Sequence, residues 1–197
     1  MKIQFLQSFN DDSIWISLID NGFNKNILID GGTSTTYSYT DKNKKLKGGA
    51  LKLLIKFLKE KNLDLVILTH IDDDHIGGFL KWFGKDKEAI KHIKEVWFNS
   101  GRTIKKYLND INSNVDSLKF KENTTLTSIP QRVEFENYIR YNQVWNEKVV
   151  VQKDVLNWNN IFFQILPPGK DKLEKLLRDG IKRKLNLYWT LPEKATI

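Results

Sequence analysis

Residues 63–78 read LDLVILTHIDDDHIGG: a short, mostly apolar run passes without a spacer into two histidines and three aspartates within six positions, then two glycines. The chain holds only three histidines, so placing two of them among carboxylates is a local feature rather than a compositional one. Crowded carboxylates repel one another unless a cation or solvent lies between them. A strand end that feeds a tight loop can turn such side chains inward together, whereas neighbours within a strand point to opposite faces. Imidazole and carboxylate are the usual ligands of zinc, manganese and iron where sulfur is absent, and the chain contains no cysteine. His70, Asp72, Asp74 and His75 are therefore the candidate metal ligands. A solvated acidic turn or a helix cap is the other reading of the stretch.

The surroundings of this stretch are those of an α/β protein. IQFLQ (3–7), SIWISLI (13–19) and NILID (26–30) carry the alternation and β-branched residues of strands, with turns at Asn10-Asp11-Asp12, Asn21-Gly22 and Gly31-Gly32. The segment 33–48, rich in Thr, Ser, Tyr and Lys, reads as a loop. From Ala50 to Glu60 the apolar residues Leu51, Leu54, Ile55 and Leu58 recur at helical intervals. LDLVILT then has the character of a buried strand in a parallel sheet, at whose C-terminal edge ligands commonly bind. The two glycines are expected to lead into a helix over 79–93, followed by a strand at EVWFNS (95–100). Helices are expected at 103–111, 129–142 and 170–184, and a strand pair at VVVQ (149–152) and NIFFQIL (160–166).

The chain's 197 residues fit one domain, or one large domain cut short. No apolar stretch approaches the ~20 residues of a membrane helix. The N-terminus lacks the basic start and apolar middle of a secretory signal. No membrane association and a cytoplasmic location are expected, and the absence of disulfides fits that compartment. The net charge of +8 is concentrated in lysine clusters at 42–47, 56–61 and 170–184. It marks either a solvated lysine-rich surface or attraction to an anionic partner such as a nucleic-acid backbone.

THIDDDHIGG resembles the His-x-His-x-Asp-His signature of the metallo-β-lactamase fold, with Asp72 where the second histidine usually stands. The DDSIWIS strand followed by NILIDGG is similar to the opening strands of that fold. Asn10-Asp11-Asp12-Ser13 stands where Gly-Asp-Ser precedes a similar hairpin in the branch that contains the hydrolase domain of the DNA-uptake competence protein. SIPQRVEFENYIRYNQVWN is similar to segments of bacterial proteins of this branch.

The resemblance implies an αββα sandwich with a metal site at one edge of its two sheets. It implies up to two divalent ions, zinc first and manganese or iron next, with His70 and Asp72 on one and Asp74 and His75 on the other. Asp74 would also orient the attacking water as the catalytic residue. The substrate class implied is a phosphodiester, nucleic acid above all, with a catalytically weakened module that serves as a binding partner or sensor as the alternative. The family completes its site with later histidine and aspartate ligands, whereas this chain has only His92 left and reaches its last residues soon after NIFFQILPP. An incomplete sandwich is therefore expected, and with it an exposed apolar sheet face that favours a homodimer or a protein partner.

Three further features stay open at this level. Asp30 before Gly31-Gly32 resembles the family's Asp-Gly-Gly turn, and either fixes strand ends or supports the metal loop. Gly48-Gly49 before a helix could receive a phosphate. The six tryptophans read as core in preference to base-stacking platforms.

Overall fold

The computed structural model describes residues 1–7, 13–59, 61–108, 128–152 and 154–175. The turn at Asn10-Asp11-Asp12, the end of the helix expected over 103–111, residues 176–184 of the last helix and Trp189 lie outside them. Contacts group the chain into two compact units, the first formed by Met1–Asn99, Phe120–Lys148 and Asn159–Ile161.

The first unit is built on a five-stranded sheet. Strands β1 (Lys2–Phe5), β2 (Ile14–Asp20) and β3 (Phe23–Ile29) run antiparallel, and β6 (Leu65–Leu68) and β7 (Val96–Phe98) continue the sheet parallel to β3. The register aligns Trp15, Leu28, Val66 and Val96 in one row across β2, β3, β6 and β7. All four are buried in a single core. The neighbouring row, Ile14, Ile29, Ile67 and Trp97, points to the opposite face. Both faces are apolar, which explains why these strands read as near-continuous hydrophobic runs.

Between β3 and β6 the chain forms a short helix α1 (Ser34–Tyr37), a hairpin of β4 (Ser38–Thr40) and β5 (Leu46–Gly48), and helix α2 (Ala50–Leu58). The loop expected over 33–48 is thus structured. Its three-residue strands are held by local chemistry: the Asp41 carboxylate accepts the backbone N–H of Asn43 and Lys45 and closes the turn. Gly49 donates its N–H to the Tyr37 carbonyl, and a Cβ there would run into the Thr35 and Thr36 carbonyls. Close packing accounts for that glycine. Leu51, Leu54 and Leu58 of α2 enter the core as the spacing predicts.

Helix α3 (Asp73–Lys85) links β6 to a 3-10 helix (Ala89–His92) and β7, and α5 (Ser128–Tyr141) packs against it. The expected start at 79 is six residues late, because the acids of the site form the first turn of α3 and the two glycines lie inside it. Phe79 and Trp82 of α3 are fully buried. Burial of Phe79 contributes roughly 1.5–3 kcal/mol and that of the larger Trp82 somewhat more, before conformational entropy is subtracted. That burial anchors the helix by its middle and leaves its N-terminal turn free to carry chemistry. Trp15, Trp82, Trp97, Trp145 and Trp158 are all buried, as the core reading requires.

In the second unit, Ile104 of helix α4 (Gly101–Leu108) buries against Leu173, with Leu108, Val149 and Val151 around them. Residues 170–175 are helical. The two-stranded sheet pairs β8 (Val155–Trp158) with β9 (Ile161–Gln164), so the partner of NIFFQIL is not VVVQ, which is irregular. A two-residue turn at Asn159-Asn160, with Asn159 at φ 56°, sets that pairing. No helix among the described residues is long and apolar enough to cross a membrane.

Candidate metal centre

The site forms where β6 ends at the C-terminal edge of the parallel strands. Thr69 and His70 follow the strand, Asp72 is the N-cap of α3 in extended conformation, and Asp73 and Asp74 occupy the first helical turn. Carboxylates are favoured there by about 0.3–1 kcal/mol each, because the unpaired N–H groups of a helix start carry partial positive charge.

Gly31 and Gly78 bring the two sequence motifs together. Gly78 donates its N–H to the Gly32 carbonyl at 2.8 Å, and Gly31 donates to the His75 carbonyl at 2.7 Å. A Cβ on Gly78 would overlap the Gly31 carbonyl, and one on Gly31 would meet the Phe79 ring and backbone at 2.9 Å. The Asp30-Gly31-Gly32 turn and the start of α3 are therefore a single unit in backbone-to-backbone contact.

Asp30 is the hub of that unit. It is 3% exposed and holds a left-handed φ of 56°, which aspartate adopts more readily than most residues. Oδ1 accepts the Thr69 N–H at 2.8 Å, while Oδ2 accepts the Thr69 hydroxyl at 2.6 Å and His75 Nδ1–H at 2.8 Å. The support role left open by the sequence is the one the geometry favours.

These bonds orient the His75 ring directly and bear on His70 through Thr69. In the neutral ring with its proton on Nδ1, His75 presents the lone pair of Nε2 toward Asp74 Oδ2, 3.6 Å away. The Thr69 hydroxyl, having given its proton to Asp30, can only accept from His70 Nδ1 at 3.2 Å. A neutral His70 in that tautomer carries its lone pair on Nε2 as well. Thr69, which no sequence pattern marks, thus sets the tautomer of a candidate ligand. The His70 and His75 rings lie 3.5 Å apart between centroids.

One donor atom each from His70, Asp74 and His75 fall within 4.8 Å of one another. Asp72 stands beside His70, with Oδ2 3.7 Å from Nε2, and is more exposed than the others; it lies outside that group. His92 packs its ring against Trp82 at 6.3 Å, toward the other end of α3.

The sequence profile of the metallo-beta-lactamase superfamily matches residues 10–178. The chain belongs to that superfamily. No curated protein matches it. The mixed α/β fold is of the metallo-β-lactamase type, and the superfamily is in general one of metal-dependent hydrolases.

The residues present fit the divalent ion that the superfamily implies. Two imidazole nitrogens and one carboxylate oxygen form the mixed donor set that zinc, manganese and iron accept. Ligands of one tetrahedral ion at ~2.1 Å lie about 3.4 Å from each other, close to the 3.6 Å between His75 Nε2 and Asp74 Oδ2. The His70 side chain is 48% exposed against 14% for His75, so His70 stands on the solvent side of the group.

Proposed function

We propose that this member of the metallo-β-lactamase superfamily is a phosphodiesterase, with nucleic acid as its favoured substrate class. The observation that carries the reading is the donor group of His70, Asp74 and His75, oriented by the buried carboxylate of Asp30. The resemblance of the opening strands and the 128–146 segment to the branch of the DNA-uptake competence hydrolase supports the substrate class, as does the net charge of +8. Zinc is the favoured ion, with manganese and iron next, and the four residues His70, Asp72, Asp74 and His75 could serve up to two ions.

A bound divalent ion would lower the pKa of a coordinated water toward neutrality and neutralise charge on the phosphoryl group. Asp74 faces His75 through Oδ2, so its other oxygen would be available to accept a proton from the attacking water. Asp30 and Thr69 hold the two imidazoles in the tautomer that presents Nε2. The lysine clusters raise the local concentration of an anionic substrate through a long-range field that salt weakens.

Hydrolysis of bis(p-nitrophenyl) phosphate and of a short single-stranded oligonucleotide, in the presence of zinc or manganese, tests the reading. Asp74→Asn is expected to lower turnover by about 100-fold or more while the metal-free chain stays folded, with a loss of stability of about 0.3–1 kcal/mol at the helix start. Activity that survives this substitution, or survives a chelator, would refute it. The competing reading is a module that binds a partner and does no chemistry. Such a module would show no turnover with any ion and would keep its partner affinity through Asp74→Asn.

A further inference from the structure

We propose that Gln131, on α5, is a positioning residue that selects which of the consecutive carboxylates Asp72, Asp73 and Asp74 can reach a bound metal ion, by withdrawing Asp73 from the site. The inference rests on the metal-centre reading and adds to it a residue 58 positions away in the chain.

Gln131 Nε2 donates to Asp73 Oδ1 at 2.6 Å. A carboxylate only accepts, so the amide must turn its N–H₂ toward it. The amide's own Oε1 is buried with no hydrogen-bond partner among the described residues, which makes the bond to Asp73 the contact that orients it. Asp73 Oδ1 also occupies a notch over Gly77, 3.0 Å from where a Cβ would stand. A Cβ at 77 would also stand 2.9 Å from the Ser34 backbone nitrogen.

Successive helical residues point about 100° apart, and the two acids of the first turn diverge accordingly. Asp74 Oδ2 faces His75 Nε2, whereas Asp73 reaches back to α5 and is absent from the group formed by His70, Asp74 and His75. The anchor is firm. Phe135 of α5 lies 5.9 Å from both Phe79 and Phe83 of α3, and Tyr138 stacks on Phe83 at 4.1 Å. Gln131 is thus held by a packed helix pair and not by the loop that bears His70.

Freed from Gln131, Asp73 sits one residue from a candidate ligand and would turn toward the cation. An added carboxylate hardens the donor set and favours manganese over zinc. Competition titrations of wild type, Gln131→Ala, Asp73→Ala and the double variant with Zn²⁺ and Mn²⁺ test this, with the visible spectrum of the Co²⁺ form as a second readout. Gln131→Met keeps the length and helix preference and serves if the alanine variant folds poorly.

The ratio of zinc to manganese affinity is expected to fall about tenfold in Gln131→Ala and Gln131→Met, in the range that partners of ligand-bearing segments control. The Co²⁺ spectrum should change with it. The double variant, in which no Asp73 remains to intrude, should return to the wild-type ratio, and Asp73→Ala alone should differ little from wild type. A wild-type ratio in the Gln131 variants, or a shift that persists in the double variant, overturns the proposal and leaves the metal centre standing. A wild-type chain that binds none of the three ions overturns both.

Discussion

Asp30→Asn is expected to lower divalent-metal affinity by about 10- to 100-fold while the chain remains folded, although no oxygen of Asp30 belongs to the donor group. Asparagine tolerates the left-handed backbone at this position, so the turn survives and the change is confined to the side chain. Its one oxygen can still accept the Thr69 N–H. The amide N–H₂ then faces His75 Nδ1, which must release its proton to accept the new bond. The proton moves to Nε2, the atom that faces Asp74, and that lone pair is lost to the metal. The Thr69 hydroxyl meets the same donor and must turn around, which removes the reason for His70 to carry its proton on Nδ1. Stability should fall by about 1–3 kcal/mol, the cost of weakened bonds to a buried charged acceptor. Metal titration and the ¹⁵N chemical shifts of the imidazoles measure both effects. An unchanged affinity with a wild-type His75 tautomer would show that Asp30 serves only the turn.

Gly78→Ala and Gly84→Ala should have opposite effects although both lie in α3. By helix propensity alone each would stabilise by up to ~1 kcal/mol. At Gly84 a Cβ meets nothing within 4 Å, so a gain of a few tenths to ~1 kcal/mol is expected. At Gly78 the Cβ would overlap the Gly31 carbonyl, a backbone atom of the turn that carries Asp30. Overpacking against backbone outweighs propensity, and a net loss of ~3 kcal/mol is expected, with weakened metal binding as the turn shifts. Urea denaturation of the two variants and the wild type checks the order. Equal stabilisation by both substitutions would mean that α3 does not lie directly on the Asp30-Gly31-Gly32 turn.

The parts of this fold legible in the sequence are those governed by periodicity. Leu51, Leu54 and Leu58 mark one face of a helix, and LDLVILT marks a strand buried on both faces; each pattern is local and decided by burial. Gly77-Gly78 reads as a break ahead of a helix because glycine is a poor helix residue, whereas its place inside α3 rests on the Gly31 carbonyl, 47 residues before Gly78, and on the Ser34 backbone and the Asp73 carboxylate beside Gly77. The hairpin within 38–48 carries no apolar alternation, since an Asp41 turn and not burial holds it. At 149–166 the high β-propensity of VVVQ outweighed a better signal, the Asn159-Asn160 pair between two short apolar segments, which is the usual mark of a two-residue hairpin turn. In the site, the histidine and aspartate spacing was legible in itself. Thr69 and Gln131 were not, because a single hydroxyl or amide has no sequence signature until the tertiary fold brings its partner within 3 Å.

The central claim is that His70, Asp74 and His75 hold a divalent ion, and metal content tests it most directly. The chain and its Asp74→Asn and His75→Ala variants would be loaded with zinc or manganese, desalted and measured by elemental mass spectrometry, with circular dichroism to verify folding. Stoichiometric metal in the wild type, lost in both folded variants, is the predicted result. A wild type that retains no metal, or variants that retain as much as the wild type, would contradict it.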